Sequence, residues 1–292
     1  MTWIRWSACA LALALGLSAA RAEIGTAGPE EWLNLFSRER SRVGAPPLRP
    51  SPVLTQVAQQ QAEEMARGGR RLRSTSAGTV SERLRQVGYS AHDWRESFSL
   101  ADEATDALPD LPRAALDRRF RDLGVGTVEV GGLTLRVFLF GWHEEDFFAA
   151  ATAGLADRPR VAAEMLSRVN DVRRRAGLPP LAPHPLLDRI SEEHAQDMLA
   201  RSYSAHRTPE GLGPSERARA AGYRSGIGEN IVEQRFSAAE ALEAWLGSPA
   251  HLRNILDPDC RELGLGLAVG AGYDAAPGAY RVIWVQSFGR GE

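Results

Sequence analysis

The chain has 292 residues, a formal net charge of −2 and 43% hydrophobic residues. That length is enough for two domains of ordinary size, each able to bury a core. Every basic residue other than histidine is arginine, which excludes Schiff-base lysines and Ser–Lys dyads, and the interspersed charges leave no nucleic-acid footprint.

Residues 1–22 read as a secretory signal. Arg5 gives a weakly positive start, Cys9 to Ala20 form a run of small and apolar residues, and Ala20-Arg21-Ala22 is an A-x-A cleavage site. The mature chain is expected to begin near Glu23, as a secreted or periplasmic protein. The run is too short to span a bilayer. No second run of this kind follows, so no transmembrane anchor is expected. Cys9 lies in the signal and leaves Cys260 alone, without a partner for an intrachain disulfide.

A first domain is expected over residues 29–142, a linker over 143–156 and a second domain over 157–292. The two domains repeat one another. Arg42-Val43-Gly44-Ala45-Pro46-Pro47-Leu48 returns as Arg175-Ala176-Gly177-Leu178-Pro179-Pro180-Leu181, 133 residues on. Met65 and Met198 keep that offset. Ser81-Glu82-Arg83 and Gly88-Tyr89 match Ser215-Glu216-Arg217 and Gly222-Tyr223 at an offset of 134, and Leu123-Gly124-Val125-Gly126 matches Leu263-Gly264-Leu265-Gly266. A period this long is a duplicated domain, since solenoid repeats run roughly 20–50 residues. What both copies keep is scaffold; what one copy alone has is a candidate for function.

In the second domain, Val161, Met165, Val169 and Val172 recur at helical spacing until Gly177 and Pro179-Pro180 stop the helix. A second helix is expected over Pro185 to Ala200, with His194 among Ile190 and Met198 as a core histidine. A short third runs from about Ser215 to Ala221. Gly228 to Glu233 read as a strand. Ser237-Ala238-Ala239-Glu240 is a capping box opening a fourth helix. Ser248 and Pro249 place His251 in the first turn of a short helix. Leu263 to Val269 and Tyr280 to Phe288 close the chain as strands. Helices first and strands last, without strict alternation, indicate an α+β fold.

His206, Glu229 and His251 occur only in the second copy by this alignment. Where Glu229 stands, the first copy reads Arg95, with Glu96 one position off; near His251 it reads Leu111-Pro112. Two imidazoles and a carboxylate are a sufficient ligand set for a divalent metal. They are equally a base and its orienting group.

Asn170-Asp171-Val172-Arg173, Gly177-Leu178-Pro179-Pro180-Leu181, Ala195-Gln196-Asp197-Met198, Ser204-Ala205-His206, Gly228-Glu229-Asn230-Ile231, Trp245 to Leu256 and Val285-Gln286-Ser287-Phe288-Gly289 resemble the CAP superfamily: cysteine-rich secretory, antigen-five-like and pathogenesis-related proteins. They are most similar to its bacterial, SCP-like extracellular branch. The resemblance covers nearly all of residues 160–290, and the first copy is similar to a degenerate domain of the same kind. It implies two tandem α–β–α sandwich domains with small antiparallel sheets. It also implies a cleft carrying His206, Glu229 and His251, able to hold a divalent metal such as zinc, magnesium or calcium. Ser248 stands where eukaryotic relatives often have a second acidic residue. Three functions follow, of which the third is a purely structural envelope protein. The first is an extracellular binding module, a monomer, for a lipid or a peptidoglycan-related or other envelope ligand. The second is a metal-dependent hydrolase acting on peptide or envelope polymer.

Overall fold

The computed structural model describes residues 29–68, 77–101, 111–271 and 280–291; the expected signal segment lies outside them. The chain divides into two compact units between Phe147 and Phe148. No helix among the described residues is long and apolar enough to cross a membrane.

The first unit runs α1 (Pro29–Arg42), β1 (Arg49–Pro50), α2 (Pro52–Arg67), α3 (Ala77–Gln86), β2 (Ala91–Ala101), α4 (Arg113–Leu116), β3 (Asp122–Val130) and β4 (Leu133–His143). The expected linker is the end of β4 followed by a helix, α5 (Glu144–Thr152), and one 3-10 turn. The second unit then runs α6 (Arg158–Arg175), β5 (Ala182–Pro183), α7 (Pro185–Ala200), α8 (Pro214–Ala220), β6 (Ile227–Glu233), α9 (Ala238–Leu246), α10 (Pro249–Ile255), β7 (Glu262–Ala271) and β8 (Tyr280–Gly289).

Each unit has a four-stranded sheet, ordered β1-β3-β4-β2 and β5-β7-β8-β6. The three long strands of each are antiparallel, as expected. The outermost two-residue strand is parallel to its neighbour in both, so the sheets are mixed and not wholly antiparallel. Two residues are too few to leave a hydrophobic period in the sequence.

The second sheet is buried on both faces, so β8 reads as a nearly unbroken apolar run. On one face, Val161, Met165 and Val169 of α6 and Leu242 and Trp245 of α9 pack on Leu263, Leu267, Trp284 and Phe288. On the other, Ala195 and Met198 of α7 meet Ala268, Ile283 and Val285. Helix α7 lies very close to β7. A Cβ on Gly264 or Gly266 would stand well under 3.0 Å from the backbone of Leu187 or Ser191, and Gly124 and Gly126 face Leu54 and Ala58 of α2 in the same way. Only glycine admits that approach.

The same polar fixtures recur in both units. Arg40 is fully buried and donates to the carbonyls of Pro46, Ala115, Asp117 and Phe120. Arg173, equally buried, donates to those of Pro179, Ile255, Asp257 and Cys260. The Tyr89 hydroxyl donates to Asp122 Oδ2 at 2.8 Å, and that of Tyr223 to Glu262 Oε2 at 2.6 Å. Each copy is therefore one α–β–α sandwich with one set of anchors.

Candidate functional site

His206 lies in the loop after α7, and its ring is held from behind. Nδ1 is 2.8 Å from Glu229 Oε1. The Glu229 side chain is only 2% exposed, against 54% for His206. Glu229 Oε2 accepts from Arg217 Nη2 on α8. Arg217 Nη1 also donates to the His206 carbonyl at 2.7 Å, so one guanidinium fixes both the carboxylate and the loop. A buried carboxylate needs such partners, because unpaired charge inside a protein is costly. His194 is buried as expected and works from the other side. Its Nε2 is 2.9 Å from the carbonyl of Ala205, the residue before His206.

His251 is in the first turn of α10, and α10 is tied to β6 by amides. Asn254 Nδ2 donates to Asn230 Oδ1 at 2.8 Å and to the Glu229 carbonyl at 3.1 Å. Asn230 Nδ2 donates to the His251 carbonyl at 3.2 Å and to Gln286 Oε1 at 3.3 Å. The His251 ring is half-buried, and its Nδ1 is buried without a partner. Ser248 is the N-cap of α10 by its backbone conformation, with Pro249 opening the helix as expected, but its side chain makes no cap bond.

The two site imidazoles are pushed apart in basicity. The hydrogen bond to Glu229 holds His206 above the ordinary histidine value. Burial, and then the nearby His206 charge, hold His251 below it. Between those values one ring is an imidazolium and the other is neutral, a pairing that assigns different proton roles to like groups. Glu229→Gln is expected to drop the His206 pKa below that of the wild type, since it removes the carboxylate and leaves Arg217 facing the ring. NMR titration of the His206 ring protons measures it; an unchanged value refutes the assignment.

A metal ligand must present a free lone pair, and catalytic zinc sites use three protein ligands. Glu229 has one oxygen bonded to His206 and the other to an arginine whose charge opposes a cation. Among the described residues no group of three or more His, Cys, Asp or Glu could hold a metal ion. Of the two roles the sequence left open for Glu229, its bonds to His206 and Arg217 suit the orienting group.

A sequence model of the cysteine-rich secretory protein (CAP) family matches residues 33–140 and 166–288, more than half of the chain. The chain belongs to the CAP family. It is 28% identical over 127 residues to YkwD, an uncharacterized protein of Bacillus subtilis (strain 168). That match takes in 43% of this chain and 45% of the relative, so the chain spans less than half of that protein's length. Among solved structures, similarity extends to an extracellular SCP-domain protein of Bacillus anthracis (18% identity, 72% of this chain and 70% of that one, TM-score 0.40). It extends also to an outer surface protein of Borrelia burgdorferi (18% identity, 44% of this chain and 92% of that one, TM-score 0.38).

The two CAP domains can be compared strand by strand, and this corrects the sequence comparison. Gly141 pairs with Asp122 and Gly289 with Glu262, the two carboxylates that receive the tyrosine hydroxyls, so these glycines are equivalent. Two residues earlier stand Leu139 and Ser287, and their partners on the edge strands are Glu96 and Glu229. The counterpart of Glu229 is therefore Glu96, not Arg95. The offset changes because β2 carries a bulge between Ala91 and Asp93, which absorbs one extra residue, His92. Both copies thus keep the carboxylate and its arginine. In the first, Arg83 donates to Gln61 Oε1, and Gln61 Nε2 donates to Glu96 at 3.0 Å.

What the second CAP domain has alone is the imidazoles and the amides behind them. His194, Ser191, Asn230, Asn254, Gln286 and Ser287 replace Gln61, Ala58, Ser97, Ala114, Phe138 and Leu139. Sequence reasoning missed Arg217, Asn230 and Asn254. Arg217 was set aside as scaffold by its match to Arg83; the asparagines could have been found as polar residues where the first copy has Ser97 and Ala114. His194 gives a pH test. Burial lowers its pKa, so it is stability-neutral above the ordinary histidine value and destabilises as pH falls from there toward its folded value. His194→Gln, the residue native to the first copy, is expected to flatten the loss of stability between about pH 7 and 5. Urea unfolding across that window checks it; an unchanged slope refutes it.

Proposed function

We propose that the second CAP domain is an exported binding module whose recognition element is the Glu229-held ring of His206 together with His251. The observation that carries this is the Arg217–Glu229–His206 chain. A carboxylate bonded through both oxygens orients and charges an exposed imidazole, but it is not free to activate water. The metal-dependent hydrolase is less supported, because among the described residues no three-ligand set accompanies the imidazoles. Cys260 is no substitute nucleophile. It is buried, and burial pushes its thiol up to about 11. An imidazolium beside a neutral imidazole suits a ligand with an anionic head group, and the secretory leader directs the search to lipids and peptidoglycan-related envelope fragments.

Calorimetry of the mature protein with anionic and zwitterionic phospholipid vesicles and with soluble peptidoglycan fragments tests this. Binding should weaken as pH rises through the raised His206 value, and be about tenfold or more weaker in His206→Ala. Equal binding by wild type and variant refutes it. Turnover of a ligand, lost in His206→Ala, establishes the hydrolase instead.

A further inference from the structure

Strand β2 is the outer border of the first sheet, at the end away from β1, and β4 is its strand partner. The ladder fixes which way its backbone groups point. Leu123 O accepts from Ser51 N, and Thr127 is bonded through both N and O to the Gln59 side chain. Odd-numbered residues of β3 therefore face away from β4, and Gly124, Gly126 and Val128 face toward it. Leu139, Val137 and Leu135 pair with those three, so their own groups are turned to β3. Their neighbours on the opposite side are Glu96, Phe98 and Leu100, which point N–H and C=O out of the sheet. Among the described residues nothing bonds the backbone of Phe98 or Leu100 there.

The border of the second sheet is closed at the same places. Glu229 O of β6 accepts from Asn254 Nδ2 at 3.1 Å and Glu233 O from Arg235 Nη1 at 3.3 Å, whereas Ala114 replaces Asn254 in the first domain. Glu233 is also paired with Arg281 at 2.8 Å. Its counterpart is Leu100, 40% exposed beside Phe98 at 47%, two of the four large apolar side chains left exposed among the described residues. Ser97-Phe98-Ser99-Leu100-Ala101 has no charge and no proline, the devices that blunt a sheet border.

We propose that β2 pairs, antiparallel and centred on Ser99, with β2 of a second molecule of this protein, in place of the expected monomer. Free donors and acceptors at alternate residues are completed by an extended strand, and this stretch complements itself. Phe98 of each molecule faces Leu100 of the other and exchanges both backbone hydrogen bonds with it. The two side chains meet on the face that carries Val137 and Leu135, their neighbours on β4. Centring on Phe98 instead would set the Glu96 carboxylate beside the other molecule's Leu100. Centring on Ser97 would require the Trp94 groups, which are already bonded to Asp93 Oδ1 and Arg95 Nη1. A contact this short lies at the low end of interface sizes, so the dimer is weak and concentration-dependent.

Sedimentation equilibrium of the mature chain at concentrations up to about 1 mM tests this. The expected result is a reversible dimer. Leu100→Glu installs the residue of the second domain at an exposed position; it should keep the wild-type circular dichroism and weaken association by about tenfold or more. His206→Ala should dimerise like the wild type, which separates this surface from the site proposed above. Ser99 and its symmetry mate form a non-hydrogen-bonded pair, with Cα atoms about 4.5 Å apart, inside the disulfide range. Ser99→Cys should therefore give a disulfide-linked dimer under mild oxidant, and Ser97→Cys, which stands opposite Ala101, much less. Native Cys260 is buried and should leave the wild type without a cross-link. A monomer at every concentration overturns the proposal, as does association undiminished in Leu100→Glu. Equal cross-linking of the two cysteine variants overturns the register. A chain that stays monomeric yet binds a synthetic strand-forming peptide assigns the border to a foreign strand instead.

Discussion

Arg173→Leu should unfold the second domain or bring it close to unfolding. The side chain is fully buried, and its guanidinium donates to four backbone carbonyls from three segments: Pro179, Ile255, Asp257 and Cys260. Leucine fills much of the space but donates to none of them. The Asp257 and Cys260 carbonyls keep a second donor each, Cys260 N and Arg261 Nη1, so those of Pro179 and Ile255 are the ones left unmet, at about 1–3 kcal/mol each. A loss of about 2–6 kcal/mol is expected, against the roughly 5–15 kcal/mol that holds a domain folded. Arg173→Lys should not rescue it, because a single ammonium cannot reach four carbonyls that a planar fork spans. Arg40→Leu should do the same to the first domain. Urea unfolding followed by tryptophan fluorescence and circular dichroism measures both, and a loss below about 1 kcal/mol at either site would show that the carbonyls find other partners.

Gly266→Ala should be nearly as damaging, although it adds one methyl group. The new Cβ would overlap the backbone of Ser191 well inside 3.0 Å. Backbone cannot rotate aside as a flexible side-chain tip can, so α7 must lift from β7 and the contacts of Ala195 and Met198 with the sheet loosen. A cost at or above the roughly 1–3 kcal/mol typical of core overpacking follows, because backbone must move. Lifting α7 also moves His194 from the Ala205 carbonyl, so the His206 loop should lose order before the domain melts. Gly247→Ala is the control. There the added Cβ meets its neighbours at 3.6 Å, ordinary contact, and the effect on the unfolding temperature should be small. Equal shifts for the two variants would refute the close-approach argument.

Much of the second domain was legible because its helices carry strong punctuation. Pro185 and the stripe through Ile190, His194 and Met198 gave α7 at its observed bounds, and Ser237 caps α9 through the Glu240 amide as its spacing requires. Gly228 to Glu233 missed β6 by one residue. His206, Glu229 and His251 stood out as polar residues in motifs. Their relation did not. Whether a carboxylate ligates, pairs or orients depends on what reaches its two oxygens, and Arg217 comes from a different helix. The bulge at His92 was hidden for a related reason. Sequence offset counts residues, whereas a pleated strand counts faces, and a slip of one turns a side chain to the other side. The comparison of Glu229 with Arg95 therefore set an inward residue against an outward one.

The two-residue strands at the outer edges have a protective consequence. Arg49 N and Ser51 N both donate inward, to the carbonyls of Arg121 and Leu123, and Ala182 N and His184 N do likewise toward Arg261 and Leu263. Alternation leaves the residue between each pair to point its amide outward. That residue is Pro50 in one sheet and Pro183 in the other, and proline has no hydrogen to offer. A foreign strand arriving at either border finds a stub without a donor and cannot extend the ladder. Two homologous sheets on one polypeptide are at special risk of zipping onto each other or onto a neighbouring chain during folding. The imino acid at each border shields against such misassembly, and replacing both prolines with threonine would open that route to aggregation.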